Sequence, residues 1–277
     1  MATVACAALT LTCVTTTGQR PDVDERFVGP TLDPTRWVDH YLPHWSTPDR
    51  TQARYELGRR GLTLRIDPDQ PAFSPEYDGE LRVSNLQSGT RSGPVGSADG
   101  QHRFRDGLLV RTAQPTRPLW LLGPGTLEAR IEPCEHRNAL TALWLIGFED
   151  TPDRSGELCV VELFGDRLAG ASAGAGAAIG AGVHPFGDPT LADDHRMVPL
   201  ALDLRAPRDY RAEWGAWGWR VSVDGSVVAS GERAPAYPLQ IMLNLYLLPG
   251  ADGRVAMPSD APLTARVEYL RYWAADA

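Results

Sequence analysis

Short segments in which apolar and polar residues alternate recur along this chain, and no long segment has the periodicity of a helix. In residues 240–246, Ile241, Leu243 and Leu245 fall on one face, and polar or larger side chains fall on the other. This period of two is that of a half-buried strand. The 27 glycines and 23 prolines are scattered, as expected for many turns. The pattern predicts an all-β sandwich or jelly roll.

Other segments extend this prediction. Asp224-Gly225, between two alternating segments, is typical of the type I′ turn of a hairpin. Residues 81–107 are polar and rich in Gly and Ser, which predicts long loops. Residues 169–182 are rich in Ala, but five glycines interrupt them. Since each glycine costs a helix about 1 kcal/mol relative to alanine, we predict a flexible loop there. Further strands are predicted at residues 62–66, 125–131, 140–146 and 265–273.

Charge and composition exclude several classes of function. The formal net charge is −8, so a cleft in this protein would repel phosphate backbones, and nucleic acid is not an expected partner. All basic residues are Arg, which excludes Schiff-base chemistry by a lysine. No two of the four cysteines form a CxxC pair, so neither a zinc site nor any other metal site is expected. The chain contains no stretch of about 18 apolar residues, so no membrane-spanning helix is predicted.

The chain is expected to form one domain. Residues 1–25 are interpreted as a flexible N-terminal segment or a degraded signal, because the apolar start lacks a basic region. Both a cytoplasmic location and secretion with an atypical signal stay open. Residues 26–277 have the length of a single β-sandwich domain, which we expect to be monomeric.

Two carboxylates stand out in a segment rich in strand-forming residues, at residues 156–165. In a regular strand Glu157 and Cys159 share a face, but Glu162 points to the opposite face because five is an odd spacing. One β-bulge restores the parity and places all three side chains together. Two carboxylates on one concave face match a retaining glycosidase, whose pair lies about 5–5.5 Å apart.

Residues 157–162, Glu-Leu-Cys-Val-Val-Glu, resemble the E-x-D-x-x-E signature of glycoside hydrolase family 16, the laminarinase and lichenase type of endo-β-glucanase. Further matching segments follow the family's order, at residues 125–131, 140–147, 209–225 and 237–246, with a weaker match at residues 32–37. The resemblance implies a concanavalin A-like jelly-roll sandwich of two antiparallel sheets with a concave substrate cleft.

The resemblance also implies catalytic roles, with Glu157 as nucleophile and Glu162 as acid/base of a retaining endo-acting β-glycoside hydrolase. The substrate would be a polysaccharide or oligosaccharide of the β-glucan type. The middle Asp of the signature is Cys159 here, and a thiol is neutral at pH 7. We therefore expect Glu162 to hold its proton less firmly, with slower turnover or a more acidic optimum. Cys159 as a nucleophile paired with His184 or His195 is an open alternative.

Candidates for substrate binding follow from the same segments. Trp144 either stacks on a sugar ring or belongs to the core. Gln240, Asn244 and Tyr246 share one strand face and are expected to hydrogen-bond ligand hydroxyls. His184 lies near a His that follows the signature in many relatives, and a structural role in its loop is equally open.

An alternative function is a non-catalytic or weakly active carbohydrate-binding protein on the same fold. The loss of the middle Asp favours it, whereas the retained pair of carboxylates favours the hydrolase. Trp45 and Trp120, near loops, are candidates for widening an aromatic floor. No cofactor is expected; a structural calcium ion occurs in some relatives, but no residue here identifies its ligands.

Overall fold

The computed structural model describes residues 19–169, 176–257 and 261–275. Its helices are short: α1 (Pro48–Thr51), α2 (Pro75–Asp78) and 3-10 turns at Pro43–Trp45 and Gly165–Arg167. Within the described residues, no helix has the length and apolar character needed to cross a membrane. The strands, in chain order, are β1 (Val23–Glu25), β2 (Arg54–Gly58), β3 (Gly61–Ile66), β4 (Arg82–Gln87), β5 (Gly89–Thr90), β6 (Arg117–Pro118), β7 (Leu121–Leu122), β8 (Gly125–Glu132), β9 (Ala139–Gly147), β10 (Glu157–Phe164), β11 (Ala177–His184), β12 (Arg196–Leu200), β13 (Arg208–Gly215), β14 (Gly218–Val223), β15 (Ser226–Gly231), β16 (Leu239–Leu247) and β17 (Leu263–Ala274).

Two antiparallel sheets form the sandwich. The larger, eight-stranded sheet has the order β15-β14-β13-β8-β17-β3-β2, with β1 paired to β17. The smaller, seven-stranded sheet has the order β12-β11-β10-β9-β16-β4, with β7 paired to β16. Strands β5 and β6 form a separate two-stranded ribbon. The predicted all-β jelly-roll sandwich is therefore confirmed.

The main core lies between the sheets and follows from strand alternation. On β16, Ile241, Leu243 and Leu245 point into this core, as predicted. The hairpin of β14 and β15 turns at Asp224 and Gly225, both with positive φ (47° and 79°), as a type I′ turn requires.

A second apolar cluster covers the other face of the smaller sheet. Met242 and Tyr246 of β16 and Trp144 of β9 contribute to it from the sheet. Side chains from two long loops pack on them, among them Leu42 and Leu108, both with no exposed surface. The loops are thus attached to the sheet by apolar contacts of their own.

Three predictions about irregular segments need correction. Ala177–His184 is strand β11 and not a loop, because its small residues pair on both sides, with β10 and β12; residues 170–175 lie outside the described part. Arg82–Gln87, expected to be loop, is strand β4. Val23–Glu25, placed in the flexible N-terminal segment, pairs with β17, whereas residues 1–18 lie outside the described part.

Candidate functional site

A β-bulge in β10 sets the direction of its side chains. Cys159 pairs with Trp144 of β9 and Val161 pairs with Leu143, which leaves Val160 without a partner. Beyond the bulge, the side chains of β10 alternate between the two faces of the sheet with the opposite parity. The consecutive residues Val160 and Val161 therefore both point into the main core. The structure thus contains the bulge that we expected to be needed for Glu157 and Glu162 to share a face.

The bulge brings Glu157 and Glu162 to one face of the smaller sheet. Both line a cavity of about 310 Å³ on that face. Its other walls are largely aromatic or apolar, formed by Tyr41, Leu81, His102, Phe104, Leu140, Ala142, Trp144, His184, Phe186, Tyr246 and Leu248. An aromatic cleft with a few polar groups is the usual form of a small-ligand site.

Glu157 is nearly enclosed, with 8% of its surface exposed. Burial, followed by the charge of Glu162, raises its pKa from 4.5 to about 8. A buried carboxyl beside a second carboxylate resists ionisation for both reasons. The raised pKa of Glu157 therefore favours its protonated form at neutral pH.

Glu162 is paired with a histidine that follows β11. Nε2 of His195 lies 3.0 Å from Oε2 of Glu162, so the imidazole and the carboxylate are in ion-pair contact. This interaction raises the pKa of His195. The ring of His195 also stacks on that of His184, with 4.4 Å between centroids. Glu162 thus faces a histidine whose charged form it stabilises.

Cys159 lies between the two carboxylates along β10 and is 1% exposed. Its Sγ is 3.9 Å from the carbonyl oxygen of Gly180. Burial and the neighbouring carboxylates raise the thiol pKa well above its usual value. The side chain is therefore a neutral thiol, a poor nucleophile.

One group of three different donor side chains forms around Glu162. Single ligand atoms of Cys159, Glu162 and His195 lie within 4.8 Å of one another. Neither the spacing of these residues nor a cysteine motif predicted this cluster, because His195 comes from another strand connection.

Of the predicted sugar-binding residues on β9 and β16, two line the cavity and two are fully buried. Tyr246 and Trp144 line the cavity, each less than a tenth exposed. Asn244 lies beneath them with no exposed surface, and its Oδ1 accepts a 2.7 Å hydrogen bond from Nε1 of Trp144. Gln240 is also fully buried, 3.3 Å from Gln101, under the loop. The expected direct contact of Asn244 and Gln240 with a ligand does not fit this placement, because covering side chains separate both from the cavity.

His184 fits its prediction better: it lines the cavity and lies opposite Glu157 in β11. The two further tryptophans do not widen the floor. Trp45 has no exposed surface and donates to the carbonyl oxygen of Gln101 at 2.9 Å. Trp120 packs edge-on against Trp37 at 5.5 Å.

Two cavity residues escaped the sequence analysis. Phe186 is 50% exposed and meets the ring of His102 edge-on, with 5.0 Å between centroids. Burial lowers the pKa of His102 to about 4, so that it is a neutral ring at pH 7. Both residues have positive φ, 44° and 48°, in loops whose shape no alternation pattern reveals.

These two rings also border a larger cavity of about 700 Å³. It is more polar, with Arg91, Asp99 and Glu149 in its walls. Glu149 accepts a hydrogen bond from the backbone N–H of His102 at 2.5 Å, and burial raises its pKa to about 7. The two cavities share His102 and Phe186 in their walls and therefore adjoin at these rings.

Comparison of the sequence with protein-family models gives no match, and comparison with curated proteins gives none either. Solved structures, however, share the fold. A GlcNAcα1-4Gal-releasing endo-β-galactosidase from Clostridium perfringens superposes with a TM-score of 0.76 at 23% identity, over 92% of this chain. The chain spans 62% of that protein's length.

Two glucanases match at lower identity. A β-glucanase from Bacillus licheniformis gives a TM-score of 0.60 at 15% identity, covering 91% of this chain and 98% of that one. A β-1,3-glucanase from Mycobacterium marinum gives 0.55 at 19% identity, covering 92% and 100%. At these identities the comparisons establish the fold: the chain is a jelly-roll sandwich of the architecture found in these glucanases.

Proposed function

We propose that this protein is a retaining glycoside hydrolase that cleaves a β-linked polysaccharide within the chain. The observation that carries the proposal is the β10 bulge, which directs Glu157 and Glu162 into one cavity with aromatic walls. Two carboxyl groups that share a proton are the minimum that double displacement needs. The glycosidase and glucanases of the same fold support this class of reaction.

In this proposal each carboxyl group has one role. Oxygen of ionised Glu157 bonds to the anomeric carbon while the glycosidic C–O bond breaks, and the proton of Glu162 passes to the leaving oxygen. Water then gives a proton to Glu162 and attacks the anomeric carbon, and the ester bond to Glu157 breaks. The stereochemistry at the anomeric carbon is retained.

The proton must reside on Glu162 for the first step, whereas burial in the free protein favours the protonated form of Glu157. The charge of Glu162 contributes to the raised pKa of Glu157, and this contribution is lost once Glu162 takes the proton. Protonated His195 opposes the transfer of the proton to Glu162, because it stabilises the anion of Glu162. We therefore expect the active population to be small, and to grow when His195 is neutral.

The walls of the cavity support a neutral sugar as substrate. Tyr246, Trp144 and Phe186 present apolar rings. Sugar rings have apolar faces that pack on aromatic rings, while their hydroxyls need only a few polar partners. The net charge of −8 adds no attraction for an anionic polymer.

The test is a panel of polysaccharides that includes β-1,3-glucan, mixed-linkage β-glucan and galactan, with new reducing ends as the readout. We expect wild-type protein to release reducing ends from at least one polymer and Glu157→Gln to release none. Glu56→Gln, on β2 with a side chain 62% exposed, is the matched control and should retain the activity. Equal release by wild type and Glu157→Gln would contradict the proposal.

The second candidate function is carbohydrate binding without hydrolysis. The observation that favours it is the charge pair of Glu162 and His195. Beside this pair, Cys159 is a neutral thiol at the position where the signature of glycoside hydrolase family 16 has an Asp. Binding of a polymer by wild type and Glu157→Gln alike, with no cleavage by either, is the result that would select it.

A further inference from the structure

We propose that Cys159, Glu162 and His195 form a binding site for a divalent cation of the zinc type. A thiol sulfur, a carboxylate oxygen and an imidazole nitrogen lie within 4.8 Å of one another. Among the residues that the structure describes, no other group of three such side chains approaches this closely. Sulfur, nitrogen and oxygen donors together are the ligand set that zinc accepts in proteins.

The backbone holds the three donors in place. Cys159 and Glu162 point to the same side because of the bulge in β10. Their partners on β11 are Gly182 and Gly180, which have no side chains to fill the space above the strand. The chain before β12 crosses directly over Gly182, since a Cβ there would lie 2.5 Å from Cα of His195. The two glycines thus leave room for the ring of His195 to reach Glu162.

The geometry is close to that of a zinc site. Metal–ligand distances of 2.0–2.3 Å place the donor atoms of a tetrahedral site roughly 3.3–3.7 Å apart. Oε2 of Glu162 and Nε2 of His195 are already 3.0 Å apart, and all three donor atoms lie within 4.8 Å, so no donor needs to move by more than about 1 Å. Glu162 connects this group to the cavity, because it also lines the cavity wall.

Binding would change the chemistry of all three groups. The metal takes the place of the thiol proton and of any proton on His195, and these protons pass to the solvent. Glu162, once a ligand, can no longer deliver a proton to a leaving oxygen. This consequence rests on the proposed hydrolase function: zinc should inhibit it reversibly, and a chelator should restore it.

Cobalt(II) tests the site without any need for activity, because thiolate ligation produces an intense near-ultraviolet absorption. The experiment uses a parent variant in which Cys6→Ser and Cys13→Ser remove the two thiols that lie outside the described residues. We expect it to bind one equivalent of cobalt with this band, and zinc to displace the cobalt. Magnesium should not displace it, since thiolate and imidazole donors do not suit that ion.

Variants then identify the ligands. Cys159→Ser should abolish the band, whereas Cys134→Ala, which removes the other described thiol, should retain it. His195→Asn should weaken binding at least tenfold, since even side chains that only support a ligand contribute about that much. No cobalt band in the parent, or unchanged binding in His195→Asn, would overturn the site. Neither result depends on whether a polysaccharide is cleaved.

Discussion

Gly180 and Glu162 face each other on neighbouring strands so closely that no side chain fits between them. A Cβ at Gly180 would overlap Oε2 of Glu162 and lie 3.0 Å from Nε2 of His195. The absence of a side chain on β11 is therefore what allows the carboxylate of β10 and the imidazole before β12 to meet. The contact connects three strands of the smaller sheet at one point.

This relationship predicts the effect of Gly180→Ala. The added methyl group meets mainly the ends of two side chains, so we expect the fold to persist while Glu162 moves. A displacement of about 1 Å at a reacting group costs up to a hundredfold in rate, and we expect a loss of kcat of tenfold or more. The measurement is kcat with a thermal unfolding curve. Gly58→Ala, at a position with open space around it, is the control and should leave kcat intact.

The buried proton of Glu157 predicts a pH dependence of stability. Below pH 4.5 this carboxyl is protonated in both folded and unfolded chains; between pH 4.5 and about 8 only the unfolded chain ionises. Stability should therefore fall as the pH rises through this window, by an amount on the order of 4 kcal/mol for this group.

Urea unfolding at pH 5 and pH 8 measures this dependence. Glu157→Gln should lose less stability than wild type between the two values, because its amide does not titrate. Glu56→Gln should follow wild type, as its side chain is 62% exposed. Parallel behaviour of wild type and Glu157→Gln would show that Glu157 ionises as readily in the folded protein as in the unfolded chain.

Cys159→Asp should increase the rate of hydrolysis. A third carboxylate beside the pair favours the state in which Glu162 keeps its proton. Proton transfer by a positioned acid contributes 10²–10⁴-fold to catalysis, and we expect the substitution to recover on the order of tenfold. The pH–rate profile should change with it. Cys159→Asn has the same shape without the charge, and an equal gain with Asn would refute the electrostatic explanation.

Phe186→Ala should weaken substrate binding without destabilising the fold. Half of this ring is exposed at the junction of the two cavities, so its removal leaves no buried void. Loss of one ring contact is on the order of 1 kcal/mol, or about fivefold in KM. Trp217→Ala is the control, because Trp217 is 55% exposed in the turn that joins β13 and β14 of the other sheet. An unchanged KM for Phe186→Ala would place the substrate elsewhere.

Alternation and parity in the sequence predict much of this arrangement. The faces of β16 and the hairpin at Asp224 follow from side-chain periodicity and turn chemistry. These features are local, since each depends on residues within one strand or one turn. Local rules therefore suffice for strands and turns of the sandwich, whereas the shared face of the two carboxylates depends on the break in alternation at the β10 bulge.

The depth of a residue beneath that face does not follow from such rules. Asn244 was correctly placed on the face of Tyr246, but Trp144 and the loops cover it. Strand β4 was missed because its Asn85 and Gln87 are polar yet fully buried. Gln87 accepts a hydrogen bond from the N–H of Leu42 and Asn85 donates one to a loop carbonyl, so both depend on residues about 45 positions away.

The second apolar cluster has a consequence for how such a protein can diversify. Leu42 and Leu108 secure their loops to the outside of the smaller sheet, in a cluster separate from the one between the sheets. Loop and sandwich can therefore accumulate substitutions independently, provided that the anchoring side chains persist. Exchange of these loops between chains of the same architecture is then a direct route to a groove of altered selectivity on an unaltered scaffold.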